Sequence, residues 1–308
     1  MPRKSTKLFH KYYKEWIELY KKDAVRHATL VKYELAHKHV KEICPNLHLH
    51  QLDRKSYQLL LNKFAENHTH ETTLDFHHHL KACLVDAYED GIIRVNPTRK
   101  AIIKGTQKRK KKKKFLNRDE LQALLSELNL PAEVNWDWFI YLISKTGLRF
   151  AEALALTPAD FDYENQQINI NKSWNYKFKD YGFQPTKNKS SNRKIFVDDS
   201  TLKAFKKLIK EKDPDQPIFV NQDQKIFNST VNSRLATLCR HANIPTISIH
   251  GLRHTHASLL LFQGVSVLSV SRRLGHANIT TTQETYLHII KELETKDNRK
   301  ILKHLKEL

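Results

Sequence analysis

The sequence predicts a mainly α protein with a small antiparallel β-sheet, an α+β fold divided into two domains. Its 308 residues exceed the roughly 100 to 200 residues of a usual single domain, so we expect two hydrophobic cores. Apolar residues recur at helical spacing through the first hundred positions and again after residue 117. Between the later helices, Ile168 and Ile170 alternate with polar residues, and Ile195, Phe196 and Val197 form a second apolar run.

Four helices are predicted in the first domain, residues 1–104. Pro45 follows the second helix, Asp53 can cap the third, and Gly91 ends the fourth. The apolar positions that predict them are, in order, Leu8, Tyr12, Trp16 and Leu19; Leu30, Tyr33, His37, Val40 and Ile43; Leu59, Leu60 and Phe64; and Leu74, Leu80, Leu84 and Tyr88. Within the fourth helix, His77, His78 and His79 point in different directions, which favours a solvated face over a metal site.

A basic segment, residues 105–116, is the predicted interdomain linker. Its consecutive cations are Lys108, Arg109, Lys110, Lys111, Lys112, Lys113 and Lys114. Self-repulsion and the lack of apolar side chains argue against a packed element. We favour a strap along a phosphate backbone, because the domains on both sides are themselves basic. A solvated connector and a nuclear-localisation signal are the alternatives.

The second predicted domain comprises residues 117–288. Asn117 and Glu120 have the spacing of a capping box that starts its first helix. Trp174 and Tyr176 are interpreted as sheet residues, and Lys187 is expected in the turn between the strands. The predicted helices cover 121–128, 138–144 before Gly147, 231–241, 250–262, 267–274 and 280–286, and a charged amphipathic helix covers 289–308.

The charge of the chain indicates a polyanionic partner. Lys and Arg outnumber Asp and Glu by 53 to 33, which gives a formal net charge of +20 and favours nucleic acid. An anionic membrane surface competes, but no apolar run approaches the roughly 20 residues of a span, and no signal peptide or lipidation motif is present. Cys44, Cys83 and Cys239 are few and far apart, which suits a reducing cytoplasm and argues against a zinc site.

Four motifs of the second domain place phosphate-binding or proton-transferring side chains beside a Gly, a turn or a hairpin. They read T-G-L-R-F-A-E from 146, P-T-K-N-K-S-S-N-R-K from 185, H-G-L-R-H from 250 and L-G-H-A-N-I-T-T-T-Q-E-T-Y from 274. The candidate catalytic residues are Arg149, Lys187, His250, Arg253, His276 and Tyr286. This set suits the cleavage of a phosphodiester bond without a metal or another cofactor.

Each residue type has a role in such a reaction. The guanidiniums of Arg149 and Arg253 can grip phosphate oxygens, and Glu152 lies on the same helical face as Arg149 and could hold it. His250 and His276 can donate or accept protons. Tyr286 is a nucleophile that needs a base or a positive field, since the pKa of a free phenol is near 10.

The leaving 5′ hydroxyl of DNA departs better when it is protonated, and a lysine on a hairpin can supply the proton. Lys187 and Lys189 both qualify. We favour Lys187 as the acid and assign Lys189 and Lys194 to contacts with the DNA backbone.

The ordered motifs T-G-L-R-x-x-E, T-K-x-K-S-S-x-R, H-x-L-R-H-T-H-A and L-G-H-x-x-I-x-T-T-x-x-T-Y closely resemble those of the tyrosine recombinases, in particular integrases of phages and integrative elements from Gram-positive bacteria. The resemblance covers residues 115–290 with specific motifs. It covers 1–104 more loosely, through the helical core-binding domain of that family. It implies that 1–104 binds DNA and that 117–288 is a mostly helical catalytic domain.

The resemblance also implies a reaction. Arg149, Lys187, His250, Arg253 and His276 match the phosphate-activating residues of the family, and Tyr286 matches the nucleophile. The intermediate is a covalent 3′-phosphotyrosyl bond with a free 5′ hydroxyl, so neither ATP nor a metal is needed. Similar proteins act as homo-tetramers on double-stranded DNA with core-type attachment sites, through a Holliday junction, and integrate or excise a phage or mobile element.

Further partners and rival functions follow from the same resemblance. Residues 289–308 are the candidate for a helix exchanged between protomers, and a host DNA-bending protein and an excisionase are candidate partners. Many integrases begin with an arm-binding domain, whereas the helical pattern here starts at Leu8, so the chain is either truncated or recognises core sites only. A type IB topoisomerase and a non-catalytic DNA-binding protein are the rivals; the complete residue set argues against the second.

Overall fold

The computed structural model of the chain describes residues 6–106, 115–177, 182–186, 188–220, 225–287 and 305. It is mostly helical with small antiparallel sheets, which confirms the predicted fold class. Contacts divide the chain into two compact units, Met1–Lys111 and Lys112–Leu308, each with its own hydrophobic core. The basic run 108–114 and, apart from residue 305, the predicted C-terminal helix lie outside the described residues.

The first unit is a helical bundle whose helices follow the predicted order. They are α1 (Phe9–Tyr20), α2 (His27–Ile43), α3 (Arg54–Ala65) and α4 (His70–Glu89). Asp53 caps α3 as predicted, because its carboxylate accepts the backbone N–H of Ser56 at 2.8 Å. Aromatic side chains, among them Phe9, Tyr13 and Phe64, fill the core between the helices.

The buried face of α1 is rotated from the stripe that predicts this helix. Phe9, Tyr13, Trp16 and Ile17 lie in the core, whereas Leu19 is 74% exposed. Apolar residues occupy two adjacent stripes of α1, and helical periodicity does not choose between them. Two further positions of the predicted stripes, in α3 and α4, are also exposed: Leu59 and Tyr88.

His77 is buried, which corrects the prediction of a solvated histidine face on α4. Its Nδ1 shares a hydrogen bond of 2.8 Å with the hydroxyl of the buried Tyr57. Desolvation, with the nearby charges of His78 and Lys81, lowers the pKa of His77 to about 4, so the ring is neutral at pH 7. His78 stays exposed, so adjacent histidines have different environments.

The second unit combines helices with two small antiparallel sheets. Its helices are α5 (Arg118–Ser126), α6 (Trp136–Thr146), α7 (Phe150–Leu154), α8 (Asp199–Leu208), α9 (Asn228–His241), α10 (Ile249–Phe262), α11 (Val267–Leu274) and α12 (Ile279–Thr285). Its strands are β1 (Phe161–Asp162), β2 (Gln167–Ile170), β3 (Lys172–Asn175), β4 (Gly182–Pro185) and β5 (Arg193–Phe196). One sheet has the order β1-β2-β5, and the other pairs β3 with β4.

The predicted strands pair as expected, with one correction to their exposure. Ile168 of β2 lies opposite Ile195 of β5 in the antiparallel register, and both are buried. Phe196, predicted as part of an apolar run, is 67% exposed, because successive side chains of a strand point to opposite faces. Trp174 is a buried residue of β3, whereas Tyr176 follows the strand and is half-buried.

Two glycines with positive φ end the helices that frame the candidate site. Gly147 follows α6 with a φ of 69°, and Gly275 follows α11 with a φ of 65°. Both lie against other parts of the second unit: a Cβ on Gly147 would lie 2.7 Å from His256 Cδ2, and one on Gly275 would lie 2.8 Å from Nη1 of Arg193. These positions therefore require glycine for both backbone conformation and space.

We expect Gly147→Ala to destabilise the second unit more than Gly264→Ala. Both residues have positive φ, which costs alanine about 1–2 kcal/mol. The Cβ at Gly264 meets nothing within 4 Å, whereas the Cβ at Gly147 meets a buried imidazole, which adds about 1–3 kcal/mol. Urea unfolding of the two variants measures the difference. Equal losses of unfolding free energy would show that the close approach of His256 carries no strain.

Candidate active site

Arg149 lies at the N-terminus of α7, directly after the turn at Gly147. Its Nη1 donates to Glu152 Oε1 at 2.6 Å and to Ser191 Oγ at 3.3 Å, and its Nη2 donates to the carbonyl of Gly275 at 2.7 Å. The side chain is 26% exposed. The guanidinium is thus fixed by three separate segments and keeps part of its surface open for an anion.

Glu152 is a buried carboxylate shared by two arginines. Besides Arg149, it accepts from Arg193 Nη2 at 3.0 Å and from Arg193 Nη1 at 3.3 Å. It also accepts the backbone N–H of Arg149, the N-cap residue of α7, at 3.0 Å. Burial alone would raise the pKa of Glu152, but Arg193 and Arg149 outweigh it, and the pKa is lowered. The predicted contact between Arg149 and Glu152 is confirmed.

Arg193, which our sequence analysis left without a role, completes this ion-pair network. Its Nε donates to the carbonyl of Arg273 at 2.6 Å, and its Nη1 donates to the carbonyl of Ser191 at 2.8 Å. The side chain is only 7% exposed. The strand pattern could have identified it, because Arg193 shares the inward face of β5 with Ile195, and a buried arginine requires an acidic partner.

Arg253 is almost completely buried in α10, with 3% of the residue exposed. Its Nη1 donates to the carbonyl of Gly147, and its Nη2 donates to the carbonyl of Leu274, both at 2.7 Å. These acceptors end α6 and α11, where the helix dipoles favour a cation. Desolvation and the charge of Arg149 lower the pKa of Arg253 to about 9, so the guanidinium still carries its charge at pH 7.

His250 and His276 lie near these guanidiniums. His250 occupies the first turn of α10, and His276 follows Gly275, with its Nδ1 2.7 Å from the hydroxyl of Thr282. Loss of hydration and the charges of Arg253 and Arg149 lower the pKa of both rings, to about 4 for His276. A neutral imidazole has one donor and one acceptor nitrogen, so His276 at pH 7 can donate a hydrogen bond from one side only.

Tyr286 directly follows α12 and is 2% exposed. Its hydroxyl lies 2.9 Å from Nδ1 of His254. Desolvation raises the pKa of Tyr286 to about 12, although the charge of Arg253 acts in the opposite direction. The phenol is therefore protonated at neutral pH. Its ring belongs to a small apolar cluster with Ala257, Leu261, Val270 and Leu274.

His254 is a second residue of the site that our sequence analysis did not assign. It lies one helical turn after His250, and the two rings make an edge-on contact with centroids 4.7 Å apart. The motif H-G-L-R-H contains both histidines at the i, i+4 spacing that places them on one face of α10. This spacing could have identified His254 before the structure.

The lysines of the predicted site are not all described. Lys187, the predicted acid, and the predicted strap Lys108–Lys114 lie outside the described residues. Lys189 and Lys194 are exposed, and Lys194 lies in β5 between the inward-facing Arg193 and Ile195. Both lysines are therefore accessible from solvent, and their contacts with DNA stay a prediction.

Among the described residues, no group of three or more His, Cys, Asp or Glu side chains could hold a metal ion. In that part of the chain, no helix combines the length and the apolar character that crossing a bilayer requires. Among the described residues, the guanidiniums of Arg149, Arg193 and Arg253 outnumber the single carboxylate of Glu152 around the site, which gives it a net positive charge.

Comparisons with known proteins find relatives in sequence and in fold. The integrase of Staphylococcus phage L54a is 25% identical in an alignment that covers 97% of this chain and 93% of the phage protein. The Tn1549 transposon integrase in complex with transposon right end DNA has a similar structure, with a TM-score of 0.75 and 21% identity over 90% of this chain and 94% of that one. A lambda integrase tetramer bound to a Holliday junction gives a TM-score of 0.64 and 16% identity over 90% and 79% of the two chains.

The two structural matches show a common fold. The profile of the phage integrase family matches residues 114–292, more than half of the chain. This range contains Arg149, Glu152, Arg193, Arg253 and Tyr286, the residues whose contacts build the site. The chain therefore belongs to the phage integrase family and is a site-specific DNA recombinase of the tyrosine type.

Proposed function

We propose that Tyr286 attacks a DNA phosphodiester, forms a covalent 3′-phosphotyrosyl bond and releases a 5′ hydroxyl. The observation that carries the proposal is the position of its hydroxyl, which lies 2.9 Å from His254 and within the electrostatic influence of Arg253. Positive charge favours the phenolate, the reactive form of tyrosine. The energy of the broken bond is kept in the link between protein and DNA, so another 5′ hydroxyl can reseal the strand without ATP.

The guanidiniums of Arg149 and Arg253 stabilise the negative charge that develops on the nonbridging oxygens. Arg149 supports this role because it is partly exposed and rigidly held by Glu152. His250 and His276 add hydrogen bonds to the phosphate. Lys187 protonates the leaving 5′ oxygen.

The substrate in this proposal is double-stranded DNA with core-type attachment sites. Residues 1–104 bind the core site, 105–116 follow the DNA backbone, and 117–288 catalyse strand exchange. Lys189 and Lys194, both exposed, add backbone contacts that depend on salt.

The assembly is a homo-tetramer on DNA that exchanges strands through a Holliday junction, as the crystallised lambda integrase tetramer suggests by analogy. Residues 289–308 pass between protomers in this assembly. Integration or excision of a phage or mobile element in the bacterial cytoplasm, at the nucleoid, is the biological outcome that we propose. A host DNA-bending protein and an excisionase are the partners to test first.

A nicked duplex tests the proposed chemistry, because loss of the short strand beyond the nick traps the covalent adduct. We expect wild-type protein to form a protease-sensitive adduct on nicked duplexes that span the DNA flanking its gene. Tyr286→Phe should form none. Tyr163→Phe, a matched change at a half-buried tyrosine of the second unit, should behave as wild type.

Two outcomes would reject the proposal. Absence of a wild-type adduct on every flanking duplex would reject DNA cleavage. Relaxation of supercoiled plasmids of any sequence, without strand exchange between two duplexes, would identify a topoisomerase instead.

A further inference from the structure

His254 is the imidazole in closest described contact with the attacking group of the proposed reaction. Its Nδ1 lies 2.9 Å from the hydroxyl oxygen of Tyr286, and the two rings meet edge-on with centroids 5.8 Å apart. Both belong to packed helical segments, because His254 lies within α10 and Tyr286 caps α12. The contact therefore joins two fixed parts of the second unit.

A proton acceptor is needed at this position. The hydroxyl of Tyr286 is buried and protonated at neutral pH, and a protonated phenol is a poor nucleophile. His276 directs its Nδ1 to the hydroxyl of Thr282, and His250 is exposed at the start of α10. Among these three histidines, His254 has the nitrogen within hydrogen-bond distance of the phenol.

We propose that His254 is the general base that removes the proton from Tyr286, an inference that rests on the proposed function. As the tyrosine oxygen bonds to phosphorus, its proton moves to His254 Nδ1. The bond from phosphorus to the 5′ oxygen breaks, and that oxygen takes a proton from a separate acid, Lys187 in the proposal. During resealing, His254 returns its proton to the departing tyrosine oxygen.

The ring of His254 must therefore be neutral before attack, with its proton on Nε2 and its Nδ1 accepting from the phenol. The charge of Arg253, the preceding residue, acts in the same direction, because it favours the phenolate form of Tyr286. No further reactant is needed. The proton lost by the tyrosine is recovered at the end of each cycle.

His256, two residues further along α10, shows what a structural histidine looks like in the same helix. Its Nδ1 lies 3.1 Å from the carbonyl of Ser144, and its Nε2 accepts from Arg273 Nε at 2.8 Å. Both nitrogens thus bind groups that take no part in the proposed reaction. His254 instead directs a nitrogen at the reacting oxygen.

His254→Asn separates proton transfer from hydrogen bonding, because the asparagine carbonyl can accept a hydrogen bond but is not a base at neutral pH. We expect its single-turnover cleavage of a nicked duplex to fall by about 10²–10⁴-fold, with DNA affinity unchanged. His254→Gln is the second variant, and His241→Asn at the exposed end of α9 is the matched control. Unfolding midpoints of all three show whether the second unit remains folded.

Two chemical probes identify the step. A duplex with sulfur in place of the scissile 5′ oxygen has a leaving group that needs no acid, so it should restore Lys187→Ala but not His254→Asn. A ring-fluorinated tyrosine at position 286 has a more acidic phenol. In the His254→Asn variant, this tyrosine should raise the cleavage rate by at least about tenfold, because a more acidic phenol has less need of a base.

Failure of the base assignment and failure of the proposed DNA cleavage give different results. If wild-type protein forms no adduct, DNA cleavage itself is rejected. If wild type reacts and His254→Asn reacts equally well, the base assignment is wrong. If the sulfur-substituted duplex restored cleavage by His254→Asn, His254 would be the acid that protonates the leaving group. If the fluorinated tyrosine failed to restore it, His254 would be a positioning residue and not a base.

Discussion

Arg253→Ala should slow DNA cleavage by about 10²–10³-fold, the usual effect of removing one donor that stabilises a transition state. Its affinity for DNA should change little, because the guanidinium is buried and the exposed lysines that we propose to contact the DNA backbone are unchanged. Single-turnover kinetics measure the cleavage rate, and equilibrium binding at the same salt concentration measures the DNA affinity.

Folding must be separated from catalysis in this variant, because Arg253 also donates to the carbonyls of Gly147 and Leu274. Arg253→Lys keeps the charge but loses the fork of donors, so it should recover stability better than cleavage. Arg272→Ala, at an exposed arginine of α11, is the matched control and should cleave normally. Parallel loss of binding and cleavage in Arg253→Ala would mean that this residue only holds DNA.

Glu152→Gln should lower the free energy of unfolding of the second unit by about 3–5 kcal/mol, the cost of leaving buried charges without their partner. Arg149 and Arg193 both lose their carboxylate, and Arg193 is 7% exposed. Trp136, Trp138 and Trp174 report on this unit, so tryptophan fluorescence in urea follows its unfolding. Lys203→Gln breaks an exposed pair with Asp199 and should cost less than about 1 kcal/mol.

The stability that Glu152 provides should also depend on pH. Its pKa in the folded protein lies below its ordinary value of 4.5, so the stabilisation is present above pH 4.5 and is lost as the pH falls through the folded pKa. Glu152→Gln should therefore flatten the acid limb of the unfolding midpoint plotted against pH. An unchanged acid limb would show that this carboxylate does not control acid stability.

The sequence was sufficient for the fold class and for most helices, because caps and glycine stops are local features. Asp53 and Asn117 cap helices as predicted, and Gly147 ends α6. Some short elements were missed. The two-residue strand β1 has too few residues for an alternating pattern to be recognised.

The face that each element buries depends on partners far away in the chain. Phe9 and Tyr13 of α1 compete with Leu8 and Tyr12 for the core, and only tertiary packing decides between them. His77 is buried in the core, where its ring shares a hydrogen bond with the hydroxyl of Tyr57. Local sequence does not contain this information.

In the candidate site, too, contacts between residues close in sequence were predicted, whereas contacts between distant residues were not. The motifs identified Arg149 and its partner Glu152, which are close in sequence. Arg193 and His254 lie inside the same motifs, but their partners are 41 and 32 residues away. Local patterns could have marked both residues as candidates, but their partners became known only from the fold.

The residue that carries the DNA in the covalent adduct tests the central claim most directly. Digestion of the wild-type adduct with nuclease and trypsin should leave a nucleotide on the peptide 274–291, which contains a single tyrosine. Fragmentation in the mass spectrometer should place the nucleotide on Tyr286. A nucleotide on a serine, a threonine or any other tyrosine would contradict the account.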